Sequence, residues 1–266
     1  MLLSWKIFRK SILIVLDNLK EAFRVSGEIF VAAVFTSSAL NVFMTGDLTI
    51  GAPEIQAVKN ANGQDQLMAL NFSSQKIIAL LGGNLIFFIA MSWIAIAWHR
   101  FILIEESNNY IFPSWNNSRI FKYSLKTIVI VTSVIFLLII PFSMINIFIS
   151  GLGLMLILPA VNILLFISFY YLFFRAGLVL PSIALDEPMS IRQSFFETKN
   201  ISKEIWGLSV IVILMILGIG IISGILAPNN IIGVLVTSLF QWIVVMISAS
   251  LMTTLYGHII ERRPIN

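Results

Sequence analysis

Six stretches of this chain run on as apolar residues with no charged side chain in their middle, and no other feature restricts the fold so strongly: residues 25–44, 77–98, 127–149, 154–174, 207–227 and 231–257. A hydrocarbon core about 30 Å thick is crossed by about 20 helical residues. Each run is much longer than the roughly 10 residues of a barrel strand and shows no alternation. In hydrocarbon a single segment satisfies its own backbone donors only as a helix. The expected fold class is therefore all-α, a polytopic membrane protein with six transmembrane helices in one membrane domain, residues 1–266. Composition agrees, because 58% of residues are hydrophobic and 11% charged, whereas a soluble domain carries about 25% charged residues to cover its surface.

The third and fourth runs are joined only by residues 150–153, and the fifth and sixth only by 228–230. These are tight hairpins, and residues 45–76 form a longer loop between the first two spans. The six spans thus read as three hairpins. Of the 17 Lys and Arg residues, Lys59 and Lys76 fall on one side and the other 15 on the opposite side, with both termini. The positive-inside rule puts that basic side in the cytoplasm and the 45–76 loop outside.

Residues 1–24 lack the short apolar core and small-residue cleavage site of a signal peptide. Trp5, Phe8, Ile12, Val15, Leu19 and Phe23 recur at steps of three and four, with Lys6, Arg9, Lys10, Asp17, Lys20 and Arg24 opposite. That periodicity predicts an amphipathic helix lying in the cytoplasmic interface. A basic segment followed by an outgoing and a returning helix recurs twice more, from Pro113 (Trp115, Arg119, Ile120, Phe121, Lys122) and from Pro188, where Ser190 and Gln193 form a capping box. The returning helices end in Trp98-His99-Arg100, Phe173-Phe174-Arg175 and Tyr256-Gly257-His258. This is the pattern of a threefold internal repeat.

The stretch Arg175-Ala-Gly-Leu-Val-Leu-Pro-Ser-Ile-Ala-Leu-Asp186, then Pro188-Met-Ser-Ile-Arg192, with Ser194 and Thr198 before Trp206, resembles a segment of bacterial six-helix inner-membrane proteins of the YciC type. The resemblance covers about 30 residues plus the topology. It implies a bacterial inner membrane and brings no reaction or ligand with it.

The candidate sites lie at the basic ends and along the last hairpin. Trp5, Lys6, Phe8, Arg9, Lys10, Arg100, Arg175, Arg192 and Lys199 are the expected contacts with lipid headgroups and the interface. Thr237, Ser238, Gln241 and Ser248 form a polar stripe on the sixth span, either a polar pathway or a set of interhelical hydrogen bonds. Gly220, Gly224 and Gly233 have the small-xxx-small spacing of close helix packing, Gly224 facing Gly233 and Gly220 facing Thr237. Pro141 and Pro159, equally far from Ser150, suggest kinks at matched depth in the middle hairpin. His99 and His258 are read as interfacial anchors, and Glu28 as the ion-pair partner of Arg24. No metal ligand set, catalytic motif or cofactor is expected, and the absence of cysteine removes thiol chemistry. Scattered at span ends, the basic residues do not form a nucleic-acid surface. The expected partners are membrane lipids, anionic ones above all, or a membrane protein. The leading reading is a non-enzymatic protein that organises lipid or such a partner. A transporter or channel along the last helix is the alternative. The least supported reading is an enzyme built on convergence of His99, Arg100, Arg175 and His258.

Overall fold

The computed structural model describes residues 2–46, 55–59, 65–70, 74–106, 113–227 and 231–265. The helices are α1 (Leu2–Asp17), α2 (Leu19–Ala22), α3 (Glu28–Thr45), α4 (Ser74–Ile104), α5 (Asn117–Gly151), α6 (Leu158–Ala176), α7 (Val179–Ala184), α8 (Ile191–Glu197), α9 (Ser202–Leu226) and α10 (Ile231–Ile259). Six helical segments are long and apolar enough to cross a membrane: Leu19–Thr45, Ser74–Ile104, Asn117–Gly151, Met155–Ala184, Lys199–Leu226 and Ile232–Ile259. The protein is a polytopic all-helical membrane protein. Its helices overrun the apolar runs chiefly at their basic ends, where long Lys and Arg stems continue a helix into the headgroup layer without burying charge.

In the 45–76 segment, β1 (Ile55–Lys59) pairs antiparallel with β2 (Asp65–Leu70), Ile55 opposite Leu70 and Lys59 opposite Asp65, with an irregularity between Gln56 and Val58. The rest of that loop, and the expected 228–230 turn, lie outside the described residues.

The chain forms two compact units, Glu28–Met91 and the remainder, Met1–Gly27 with Ser92–Asn266. In the smaller unit α3 meets the first half of α4. Phe30 packs edge-on to Phe87 at 5.6 Å, Ser37 Oγ donates to the Gly83 carbonyl at 3.2 Å, and a Cβ on Gly82 would stand 2.8 Å from Leu40.

In the larger unit the tight core sits at one end of the helices. The buried residues of α9 are Ile205, Leu208, Ser209, Val212 and Ile213, all in its first half, whereas the buried apolar side chains of α10 begin at Trp242. Those of α5 are Ile120, Tyr123, Ile130 and Val134, again toward the basic end. The opposite halves present Phe136, Ile147, Phe148, Leu156 and Ile225 to the surroundings, Leu156 at 97% exposure. In water such a surface would aggregate. Facing acyl chains as apolar as itself, it carries no penalty.

Local chemistry explains the helix ends. Gly153 (φ +71°) closes α5 in the left-handed conformation that glycine adopts freely, with Leu154 N–H reaching back to Ile149 O and Gly153 N–H to Ser150 O. Pro159 lies in the first turn of α6, where its missing N–H is no loss. The matched kinks expected at Pro141 and Pro159 are therefore corrected, since only Pro141 is inside a helix. Asn116 caps α5 by accepting from Arg119 N–H, and Ser190 caps α8 from Gln193 N–H. A left-handed non-glycine residue directly follows α4, Glu105 (φ 54°), and another stands three residues past α10, Arg262 (φ 56°). The next N–H in each case returns six residues, Glu106 to Arg100 O and Arg263 to Gly257 O.

One further element appears between the spans, and one packing expectation is revised. The Arg175–Ser190 linker contains α7, whose Val179, Leu180, Ser182 and Ala184 are buried and which packs on α5 and α10. Close helix approach occurs at Gly177 and Gly207 rather than at Gly220 and Gly224, which are exposed and where an added Cβ would meet nothing within 4 Å. Gly233 is buried. A Cβ on Gly177 would lie 2.6 Å from Phe173 O and collide with the Met252 methyl group. Gly177→Ala is expected to lower stability by about 1–3 kcal/mol, read as unfolding of the detergent-solubilised protein, while Gly220→Ala leaves it unchanged or slightly higher. Equal stabilities of the two variants would contradict this packing.

Candidate functional site

The buried half of α10 carries a seam of polar side chains, satisfied by α4, α1 and the turn Phe23–Gly27. Trp98 Nε1 donates to Ser250 Oγ at 2.7 Å, and Trp242 Nε1 to Ser26 Oγ at 2.8 Å in the π-helical turn Phe23–Gly27. Phe23 stacks on Trp242 at 4.4 Å. Ser11 Oγ lies 2.9 Å from Thr254 Oγ1. His99 is fully buried, with Nδ1 2.8 Å from Thr253 Oγ1 and Nε2 3.2 Å from Tyr123 Oη. Thr253 spends its one hydroxyl proton on Ala249 O. With that proton so placed, Nδ1–H donates to Thr253, and Nε2 faces the Tyr123 hydroxyl. His99 is thus a structural crosslink of α4, α5 and α10, not an interfacial anchor.

Above this seam stands a charge network. Arg100 Nε donates to Glu106 Oε2 at 2.6 Å and its Nη1 to Ala184 O at 2.7 Å, with Asp186 Oδ2 at 3.5 Å. Asp186 takes both ends of the Arg119 fork, at 2.7 and 3.2 Å. Its backbone is left-handed (φ 61°), and Glu187 N–H returns to Ser182 O, so the cap of α7 aims its carboxylate at the two arginines. The hydrogen bonds from Arg119 hold the Asp186 carboxyl below its usual range against the opposing effect of burial, with the charges of Arg119, Arg100 and Lys122 adding to them. The network joins the ends of α4, α5 and α7, and its two acids balance its two bases.

Arg175 is the corresponding hub for α6 and α8. It donates to Phe195 O at 2.8 Å, Thr198 Oγ1 at 3.2 Å and Tyr171 Oη at 3.2 Å, with the guanidinium over the Phe195 ring at 4.9 Å. Ser194 Oγ donates back to Arg175 O at 2.6 Å. Arg24 pairs with Glu21 at 2.5 Å rather than with Glu28, which is exposed.

The N-terminal segment, α1 followed by α2 and Phe23, has three strips. Ser4, Ile7, Phe8, Ser11 and Val15 are buried against α9 and α10, with Ser4 Oγ donating to Glu204 O at 2.8 Å and filling the space that a Cβ on Gly207 would need. A second strip, Trp5, Leu16, Leu19 and Phe23, is exposed and apolar, Trp5 at 54%. The third is basic, with Lys6, Arg9 and Lys20 exposed. The single apolar face expected from periodicity is split, Phe8 and Val15 entering the core and Trp5, Leu19 and Phe23 remaining outside. Beside the basic strip opens a cleft of about 600 Å³, between α1, the ends of α4 and α10, and the C-terminal segment. That segment is strapped down by Arg263, whose Nη2 and Nη1 donate to Leu103 O at 2.6 Å and Ile102 O at 3.2 Å.

Of the expected headgroup contacts, Trp5, Lys6, Arg9, Arg192 and Lys199 are exposed and Lys10 is half-buried at the cleft. Phe8, Arg100 and Arg175 are corrected, since all three are committed to partners inside the protein. In the polar stripe Gln241 is exposed and Thr237, Ser238 and Ser248 half-buried. Gln241 therefore faces outward, with no hydrogen-bond partner among the described residues. His99, Arg100, Arg175 and His258 do not converge, for each has separate partners, His258 pairing with Arg263 O at 3.1 Å. Among the described residues no three His, Asp or Glu side chains are placed to hold a metal ion.

Fold and polar sites together define a multipass helical membrane protein whose polar groups are concentrated at one end of its helices. No family model matches the chain, and no curated protein or solved structure matches it either.

Proposed function

We propose that this is a non-enzymatic protein of the bacterial inner membrane, of the YciC type, with both termini cytoplasmic, and that it organises anionic lipid at the cytoplasmic leaflet. The observation that carries the reading is α1. One strip fixes it to the bundle through Ser4, Ile7, Phe8 and Ser11, and the other two, apolar and basic side by side, remain outside. A helix held this way, continued by α2, presents Trp5, Leu16 and Leu19 to acyl chains while Lys6, Arg9 and Lys20 meet phosphates. The 15-to-2 partition of basic residues supports the orientation.

Each basic side chain near an anionic surface contributes about 1 kcal/mol, so Lys6→Gln, Arg9→Gln and Lys20→Gln together should weaken retention of phosphatidylglycerol at least about tenfold. Native mass spectrometry of the detergent-solubilised protein reads this directly. The loss should shrink as ionic strength rises. Unchanged retention by the triple variant would count against the reading.

A further inference from the structure

We infer that the cleft between α1, the end of α4, the end of α10 and the C-terminal segment is a binding site for a zwitterionic headgroup, a phosphodiester joined to a primary ammonium, as in an ethanolamine glycerophospholipid. The inference rests on the proposed orientation, which puts this end of the helices at the headgroup layer.

Two opposite charges face the same cleft. Lys10 reaches it from α1 and Glu105 from the residue that follows α4. Neither forms an ion pair or hydrogen bond with its side chain among the described residues, whereas Arg100 pairs with Glu106 and Asp186, and Arg263, which also lines the cleft, with Glu261. The Arg263 guanidinium is further occupied by the Ile102 and Leu103 carbonyls, and His258 Nδ1 by Arg263 O. The charges left for a ligand are thus one ammonium and one carboxylate. A purely anionic headgroup would satisfy Lys10 and be repelled by Glu105, whereas a zwitterion satisfies both. A primary ammonium donates hydrogen bonds to the carboxylate, which a quaternary one cannot.

The remaining lining suits the rest of such a molecule. Ile14, Phe101, Leu103 and Ile265 supply apolar wall, and about 600 Å³ is the size of an ordinary small-ligand pocket, large enough for a headgroup and the start of its chains. Glu105 holds its place at φ 54°, a conformation that glycine adopts freely and glutamate does not. The carboxylate therefore stands where the backbone alone would favour a different residue.

The test uses the full chain in nanodiscs of mixed phosphatidylethanolamine and phosphatidylglycerol, extracted and weighed by native mass spectrometry. The wild type should retain the ethanolamine lipid preferentially. Glu105→Gln should reduce that preference about tenfold, the effect of losing a charged hydrogen bond, and Lys10→Gln should weaken retention of both lipids. Glu105→Gly separates binding from folding: it relieves the backbone, so thermal stability should hold or rise while the preference is lost. A preference unchanged in Glu105→Gln and Glu105→Gly overturns the site. Displacement of the lipid by equimolar soluble glycerophosphoethanolamine overturns its assignment to a lipid, since the apolar wall would then contribute nothing. The outer-strip triple variant at Lys6, Arg9 and Lys20 should leave the ethanolamine preference intact. An effect at Glu105 with none at the triple variant upholds the cleft and removes the broader reading, and the reverse pattern does the opposite.

Discussion

Replacing Trp98 with Ala should cost about 3–5 kcal/mol of stability, enough to unfold much of the protein in detergent at room temperature. Trp98 is wholly buried, and its indole N–H is the donor to Ser250 Oγ at 2.7 Å. The substitution removes one of the largest buried side chains and leaves a cavity beside Phe101, whose ring centre lies 5.7 Å from that of Trp98, while Ser250 loses its donor. Membrane bundles depend on van der Waals packing more than on expulsion from water, so a void in the one well-packed region acts on the main stabilising term. Trp98→Phe is the informative companion. It keeps most of the volume and loses the donor, and should cost about 1–2 kcal/mol. Equilibrium unfolding in mixed micelles measures both, and a loss under about 1 kcal/mol for Trp98→Ala would show that this core is not what holds α4 to α10.

The spans were legible in the sequence because each is an uncharged run too long to be anything else in hydrocarbon. What lies between and against them was legible only in part, for a physical reason. Periodicity separates apolar from charged faces, but in a membrane protein the face turned to a neighbour and the face turned to lipid are both apolar. Helix α1 illustrates this. Its alternation of Trp5, Phe8, Ile12 and Val15 with basic residues gave the helix and the basic side, yet could not say that Phe8 turns inward and Trp5 outward. A finer signal was present. Ser4, Ser11 and Asn18 recur every seven residues, and small or hydrogen-bonding residues at that spacing mark a helix contact: Ser4 meets Glu204 O and Ser11 meets Thr254.

Glycine spacing misled for the related reason that a small side chain permits close approach without requiring it. Gly220 and Gly224 lie in the half of α9 that faces outward, whereas Gly177 and Gly207, which do meet a neighbour, have no small residue four positions away. His99 follows the same logic. Its position before Arg100 suggested an interface, whereas burial and two hydrogen bonds make it a core residue. The apolar segment 178–185 is too short to be a span, and nothing in its pattern marks it as core. Only its burial on α5 and α10 reveals it as core.

Helix α8 depends on Arg175, and the Arg175→Ala variant should lose its hold on that helix. Three donor contacts and the ring contact with Phe195 vanish together, leaving Phe195 O without its charged partner. Hydrogen bonds from a charged donor are worth about 1.5–3 kcal/mol each and do not add fully, so a loss of about 3 kcal/mol is expected. Much of it should appear locally, because α8 is short and otherwise attached through Ser194 Oγ to Arg175 O and the buried Thr198. Arg192 and Lys199 are exposed in this region and report on it as trypsin sites. If opening precedes cleavage, a 3 kcal/mol weakening raises the rate there on the order of a hundredfold while cleavage at Arg9 stays constant. Arg175→Lys should behave more like Ala than like the wild type, since one ammonium cannot reproduce a planar fork that bonds three acceptors and stacks on a ring. Unchanged proteolysis at Arg192 and Lys199 in both variants would mean that α8 is held by its apolar contacts alone, and that Arg175 belongs after all to the headgroup layer.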